Sequence, residues 1–216
     1  MQKNIKLNIA LIVLFICVVL TLFINNLTTP RPLSNQELLV NGLFLFQEPK
    51  EISDFVFDTS NGKKFTKDDL MGKWSLLYFG FSRCPDECPV AMYEISKLIN
   101  VLREKEYYLE DKQWVLITID TERDSPEIID NYAKGFDADF IGLSASRPML
   151  LNLSTQLAVN NKMPPMNNDM KSHEHLDDHV NNIILINPEG RFVGFFRPPF
   201  DISRLSLTYQ SITQTN

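Results

Sequence analysis

Cysteine is scarce in this chain, and three residues in 216 are too few for a disulfide scaffold. One of them, Cys17, sits inside an apolar run near the N-terminus. It lacks the small-residue context of a bacterial lipid-attachment cysteine and reads as an apolar-like residue of a helix. The other two, Cys84 and Cys88, lie close together, which points to a redox couple or a metal site rather than a structural staple. Basic charge is also short: 21 Lys and Arg against 27 Asp and Glu leave a net charge of −6 and a pI near 5.1. That balance argues against a nucleic-acid partner, because phosphate binding needs a basic face. There is no internal repeat and no low-complexity segment. With 44% hydrophobic and 22% charged residues the composition is that of a globular protein, long enough for one full core plus an appendage.

The longest apolar run, Leu7 to Ile24, is broken only by Asn8 and Thr21. It approaches the ~20 residues that cross a ~30 Å hydrocarbon layer as a helix, and predicts a single N-terminal transmembrane helix. Lys3 and Lys6 precede the run and only Arg31 follows closely, so the positive-inside bias keeps the N-terminus cytoplasmic and the remainder extracytoplasmic, in a periplasm or at a cell surface. A cleaved signal peptide is the rival, but no small-x-small site follows, and no Arg- and Ser-rich transit segment is present. The expected division is residues 1–24 as N-terminus and anchor, 25–51 as a proline-stiffened stalk with a short docked segment around Leu38 to Phe46, and 52–216 as the globular domain.

Within that domain, Phe55 to Phe57 and Lys64 to Thr66 flank Asn61-Gly62 as a hairpin. Trp74 to Phe81 and Trp114 to Ile119 are short apolar runs that predict buried strands. The first leads into Cys84-Pro85-Asp86-Glu87-Cys88-Pro89 and then a helix with Ala91, Ile95, Leu98, Ile99 and Leu102 on one face. Ser125 and Pro126 open another helix as N-cap and first residue. A third is expected over Arg147 to Val159. A hairpin of Ile183 to Ile186 and Phe192 to Phe196 turns at Asn187-Pro188-Glu189-Gly190, and a helix over Ile202 to Ile212 closes the chain. This alternation predicts an α/β fold with a mixed central sheet flanked by helices.

The cysteines thus fall between a buried strand and the N-terminus of the next helix, where unpaired N–H groups and the helix dipole favour thiolate. Placed four apart on a first helical turn, both sulfurs could address one atom. Thiolates are soft donors that suit Cu(I), or Zn(II) in a closed site, and two of them leave a metal in need of a third ligand. The three histidines, His173, His175 and His179, all lie in one stretch just before the closing hairpin. With Met163, Met166 and Met170 they make a soft-donor-rich segment, read either as a copper-capture loop or, the preferred reading, as a polar surface loop whose methionines cap the core. Asp86 and Glu87 read as solvated acids that tune charge or guide docking only secondarily. Asp120 and Asp124 are candidates to support the site, Asp124 more simply as an acid at a helix start.

On these residues the chain resembles the Sco/SenC family of copper-binding, thioredoxin-like cytochrome c oxidase assembly proteins. Tyr78 to Pro89 is similar to that family's CPxxCP segment, and Asp120 to Pro126 to its DPxRDTP segment. Phe140 to Ser144 and Asp178-His179, followed by Ile183 to Gly190, complete a likeness that spans roughly residues 52–212. The resemblance implies a thioredoxin-like fold and copper, as Cu(I), Cu(II) or both, held by Cys84, Cys88 and His179. It further implies a metallochaperone, a transfer protein rather than an enzyme with turnover. Its partners would be the oxidase subunit carrying the Cu-A site, and an upstream copper donor or thiol reductant. The alternative is an extracytoplasmic thiol-disulfide oxidoreductase working through Cys84 and Cys88. Arg83 stands where the family commonly has histidine, Thr121 replaces a proline, and Val180 replaces a Ser or Thr. The Arg83 charge is expected to lower the pKa of Cys84 further.

Overall fold

The structure is a computed structural model that describes residues 9, 11–21, 32–105, 109–159 and 181–213. Its first helix, α1 at residues 11–21, carries exposed apolar side chains such as Leu14 and Phe15. Among the described residues no helix is long and apolar enough to cross a membrane, so the transmembrane helix expected over Leu7 to Ile24 is not supported.

Within the region expected to be a stalk, the chain from Asn35 to Lys50 forms a helix and a strand of the sheet. Helix α2 (Asn35–Val40) starts with a capping box: Ser34 accepts from the Glu37 N–H while Glu37 reaches back to the Ser34 N–H. Strand β1 (Leu43–Lys50) then pairs antiparallel with β8 (Phe192–Phe196), Leu43 opposite Phe196. The docked segment is therefore longer than Leu38 to Phe46, and the sheet starts before residue 52.

A small hairpin of β2 (Val56–Asp58) and β3 (Lys64–Thr66) follows around Gly62, whose φ of +79° suits a residue without Cβ. The main sheet has six strands in the order β1-β8-β7-β4-β5-β6, with β4 (Trp74–Gly80), β5 (Lys112–Thr118), β6 (Phe140–Leu143) and β7 (Ile183–Ile186). The pairs β4–β5 and β5–β6 are parallel, whereas β4–β7 and β7–β8 are antiparallel. This is the mixed sheet that the sequence predicted. All seven residues of β4 are buried, which explains its unbroken apolar run: a central strand is covered on both faces.

The helices are α3 (Glu87–Glu104), α4 (Pro126–Lys134), α5 (Arg147–Gln156) and α6 (Ile202–Thr213). The stripe of Ala91, Ile95, Leu98, Ile99 and Leu102 is buried as its spacing requires, and α3 packs on α6. Tyr209 of α6 meets Trp114 of β5 with ring centroids 5.6 Å apart. Helix α4 starts as predicted, with the Ser125 side chain accepting from the Ile128 N–H and Pro126 at its first position, and lies against β5 and β6. Two consequences position the site. Strand β4 ends at Gly80, so its continuation emerges at the centre of one sheet end. The chain before β7 arrives at that same end, because β7 runs antiparallel to β4.

Candidate functional site

Cys84 lies in the turn between β4 and α3, and Cys88 in the first turn of α3. The expectation that both ride on one helical turn needs correcting, since the helix begins only at Glu87. Its N-cap, Asp86, gives no side-chain cap bond. The Cys84 sulfur supplies one instead: the Cys88 N–H donates to Cys84 Sγ at 3.3 Å. A sulfur thus occupies the acceptor position that a Ser or Asp oxygen takes at other helix starts, and one unpaired helix donor is satisfied by the residue that benefits from it.

Both cysteines are buried, unbridged and hydrogen-bonded to each other. Their acidities separate. The bond from Cys88 draws the Cys84 thiol down to about 7; burial opposes this, and the backbone N–H groups of Cys88, Asp86 and Glu87 add to it. Cys88 is pushed well up by its role as donor to Cys84, by burial and by the negative charge of its neighbour. The pair therefore reads as one readily ionised thiol and one reserve thiol near neutral pH. Gly80 makes room for it. A Cβ there would stand 3.1 Å from Cys88 Sγ and 3.1 Å from Tyr78 Cε1, so the glycine in an otherwise apolar strand marks a close approach. Burial, and then the charges of the nearby Cys88 and Cys84 sulfurs, push the ionisation of the Tyr78 hydroxyl far up.

The loop that carries Cys84 is held from behind by two buried aspartates. Asp124 accepts from the Ser82 N–H at 2.9 Å, from Ser82 Oγ at 2.5 Å and from Thr118 Oγ1 at 2.8 Å. It does not serve as the acid at the start of α4; Ser125 caps that helix, and Asp124 supports the cysteine loop. Asp120 takes the Arg83 guanidinium at 2.7 Å and Arg123 Nε at 3.2 Å. Arg83, expected to add positive charge to Cys84, is thus engaged by a carboxylate that offsets that charge. The bonds that lower Cys84 come from Cys88 and the helix start.

Tyr78, Gly80, Ser82 and Thr118 were given no role by the sequence reading, and neither were Asn181 and Tyr132. The glycine in a buried strand was the one available signal; the others act through contacts between residues far apart in the chain. Tyr132 turns its hydroxyl toward the same site, where burial and then the charges of Cys88, Cys84 and Asp124 raise its pKa. Asn181 donates from Nδ2 to Glu87 and accepts the Tyr78 hydroxyl at 3.5 Å. Glu87 is therefore not merely solvated. His173, His175 and His179, with Met163, Met166 and Met170, lie outside the described residues. Among the described residues no group of three or more His, Cys, Asp or Glu could hold a metal ion.

Comparisons with known proteins converge. A family model described as SCO1/SenC matches residues 46–214. An SCO2-like protein of Rickettsia prowazekii is 31% identical over 197 residues, covering 91% of each chain. The mitochondrial SCO1 homolog of Homo sapiens is 35% identical over 144 residues, 66% of this chain and 46% of its own length. Copper-bound yeast Sco1 superimposes with a TM-score of 0.68 at 28% identity, over 78% of this chain and 91% of that one. Copper-bound ScoI of Arabidopsis thaliana gives 0.64 at 30% identity, over 75% and 98%. The α/β thioredoxin-like architecture expected from the sequence is the one these structures share with this chain.

Proposed function

We propose, from the premise that the chain belongs to the SCO1/SenC family, that it binds copper through Cys84, Cys88 and His179 and hands it to the Cu-A-bearing subunit of cytochrome c oxidase during assembly. The observation that carries this reading is the register of β7 on β4, with Leu77 opposite Ile184. Continued toward the end of β4, it brings Asn181 to the start of α3, the helix that carries Cys88. In sequence, His179 stands two residues before Asn181. Asn181 itself touches Glu87 and Tyr78, the two neighbours of Cys88. Two soft sulfurs and one imidazole match the donor preference of Cu(I).

Copper is the cargo here, and the exchange needs no net electron transfer. A low-coordinate ion accepts an incoming acceptor thiolate before a donor thiolate leaves, so free ion is never released. Cys84, drawn down to about 7 and so partly thiolate near neutrality, holds the ion with less proton release than an ordinary thiol. The exposed apolar surface of α1 supports membrane association of the N-terminal segment, with the copper domain on the extracytoplasmic side.

The unequal acidities of the pair favour a second reading, a dithiol reductase. The Cys84 thiolate would attack a partner disulfide, forming a mixed disulfide and releasing one partner thiolate. Cys88 would then attack Cys84 Sγ, releasing the second and leaving a Cys84–Cys88 disulfide, two electrons having passed to the partner. The experiment is anaerobic copper titration of the full chain in detergent beside His179→Ala, Cys84→Ser and Cys88→Ser. The chaperone reading expects one copper per chain in the parent and loss of tight binding in all three variants. Unchanged copper affinity in His179→Ala overturns it. Reductase activity that survives His179→Ala supports the second reading. A fragment cut near residue 50 is unsuitable, because it would remove β1 from the sheet.

A further inference from the structure

One hydroxyl beside the cysteine pair is idle while both cysteines are thiols. Tyr132 Oη is buried, and among the described residues it neither donates nor accepts a hydrogen bond. The residue as a whole is only half-buried, its ring packed edge-on against Phe136 with centroids 5.3 Å apart. This inverts the usual arrangement, in which a tyrosine buries its ring and keeps its polar tip in water. A buried hydroxyl without a partner destabilises a fold and is uncommon enough to need a reason. Its place supplies one. Side chains on a helix lean toward the helix N-terminus, and the N-terminus of α4 is where Asp124 holds the cysteine loop through Ser82. After burial, the charge that the hydroxyl feels most is that of Cys88, followed by Cys84 and Asp124.

Cys88 has the matching need. As free thiols the two cysteines satisfy each other, and Cys84 Sγ also accepts the Cys88 N–H at 3.3 Å. Once they are joined, a thiol reductant reopens the pair. Its thiolate attacks Cys84 Sγ, the Cys84–Cys88 bond breaks, and the electron pair leaves on Cys88 Sγ while Cys84 is held in a mixed disulfide. A second reductant thiolate then releases Cys84 as thiolate and carries away the reductant's disulfide, so two electrons have entered the pair. Cys88 is 3% exposed, so water cannot solvate the charge that arrives on it. We propose that the Tyr132 hydroxyl donates to Cys88 Sγ as that sulfur leaves. The proposal rests on the second reading above, in which the pair cycles between dithiol and disulfide, and it needs no third ligand. Tyr78 is less suited, because its hydroxyl is already given to Asn181 Oδ1. Closing the disulfide passes through the same anion in reverse, so the donor serves both directions.

The test uses the full chain in detergent, freed of copper, in a Cys17→Ser background that leaves two thiols. The pair is closed with diamide and reopened with glutathione, and the appearance of protein thiols is followed in time. Tyr132→Phe, which keeps the ring against Phe136, is expected to reopen about tenfold more slowly than the parent. The Tm of its dithiol form should hold or rise, since a polar group without a partner has been removed. Cys84 alkylation in the dithiol form should keep the parent rate. A reopening rate equal to the parent's overturns the proposal and leaves the reductase reading in place. A fall in Tm also overturns it, because the hydroxyl would then be bonded in the dithiol fold. So does a slowed alkylation, the mark of a displaced cysteine loop. If diamide closes no disulfide in the parent, the second reading fails first, and this one with it.

Discussion

The turn that carries the cysteines and the β1–β8 edge are held by opposite means. Behind Cys84 the restraints are polar and directional: Asp124 accepts three bonds from Ser82 and Thr118, and Asp120 holds Arg83 and Arg123, both carboxylates being 1% exposed. At the edge the restraints are aromatic. Phe44 stacks on Phe195 at 5.2 Å, Phe46 meets Phe192 edge-on at 4.8 Å, and Lys50 and Arg197 lie over the rings. Hydrogen bonds fix direction to within tens of degrees, whereas ring packing mainly fixes distance and tolerates sliding. The contrast follows from the tasks: an edge must only be covered, but a sulfur must be aimed.

Breaking the polar side should cost most. Asp124→Ala leaves three donors, that of buried Thr118 and two of half-buried Ser82, without their acceptor and is expected to destabilise by about 3 kcal/mol. The same change should release the loop, so that Cys84 alkylation at pH 7 departs from the parent rate. Urea unfolding beside alkylation kinetics checks both, and an unchanged rate would show that the loop holds its shape without the aspartate. Gly80→Ala comes next, at about 2 kcal/mol, because its Cβ would crowd Cys88 Sγ and Tyr78 at 3.1 Å in a strand buried throughout. Phe46→Ala is the counterpart at the edge. Its ring is half-buried, so a loss of about 1.5 kcal/mol is expected, with thiol kinetics unaltered. A changed alkylation rate in that variant would mean that the two regions are coupled.

The same division decides what could be read from the sequence. Strands β4, β5, β7 and β8 were legible because buried strands leave short apolar runs, and the start of α4 because Ser125-Pro126 is a local capping signal. For helix α2 and strand β1 the sequence suggested only a stalk with a short docked segment around Leu38 to Phe46. What orders them is pairing with β8, about 150 residues away, and no local pattern records that register. At the site, the cysteine pair and its helix start were legible from spacing. The placement of Cys84 before the helix was not, because a sulfur acting as cap resembles no standard N-cap residue. The role of Asp124 was misread for a related reason. An acid next to Ser125-Pro126 satisfies the rule for helix starts, and only the folded chain shows Ser82 at its carboxylate.

The smallest expected effect sharpens the contrast most. Alkylation of Cys84 should rise with pH through a midpoint of about 7, since the thiolate attacks and its bonds from Cys88 and the helix start favour that form. Cys88, pushed upward, should stay silent over the same range. Arg83→Ala removes the nearest cation in sequence, and a reading based on adjacency alone would have the midpoint climb. The guanidinium, however, sits on Asp120, about half exposed, so cation and carboxylate offset each other as seen from the sulfur. The midpoint should therefore stay near 7. A clear rise would show that Arg83 acts on the thiolate across its ion pair, and that the polar scaffold sets the charge of the sulfur as well as its direction.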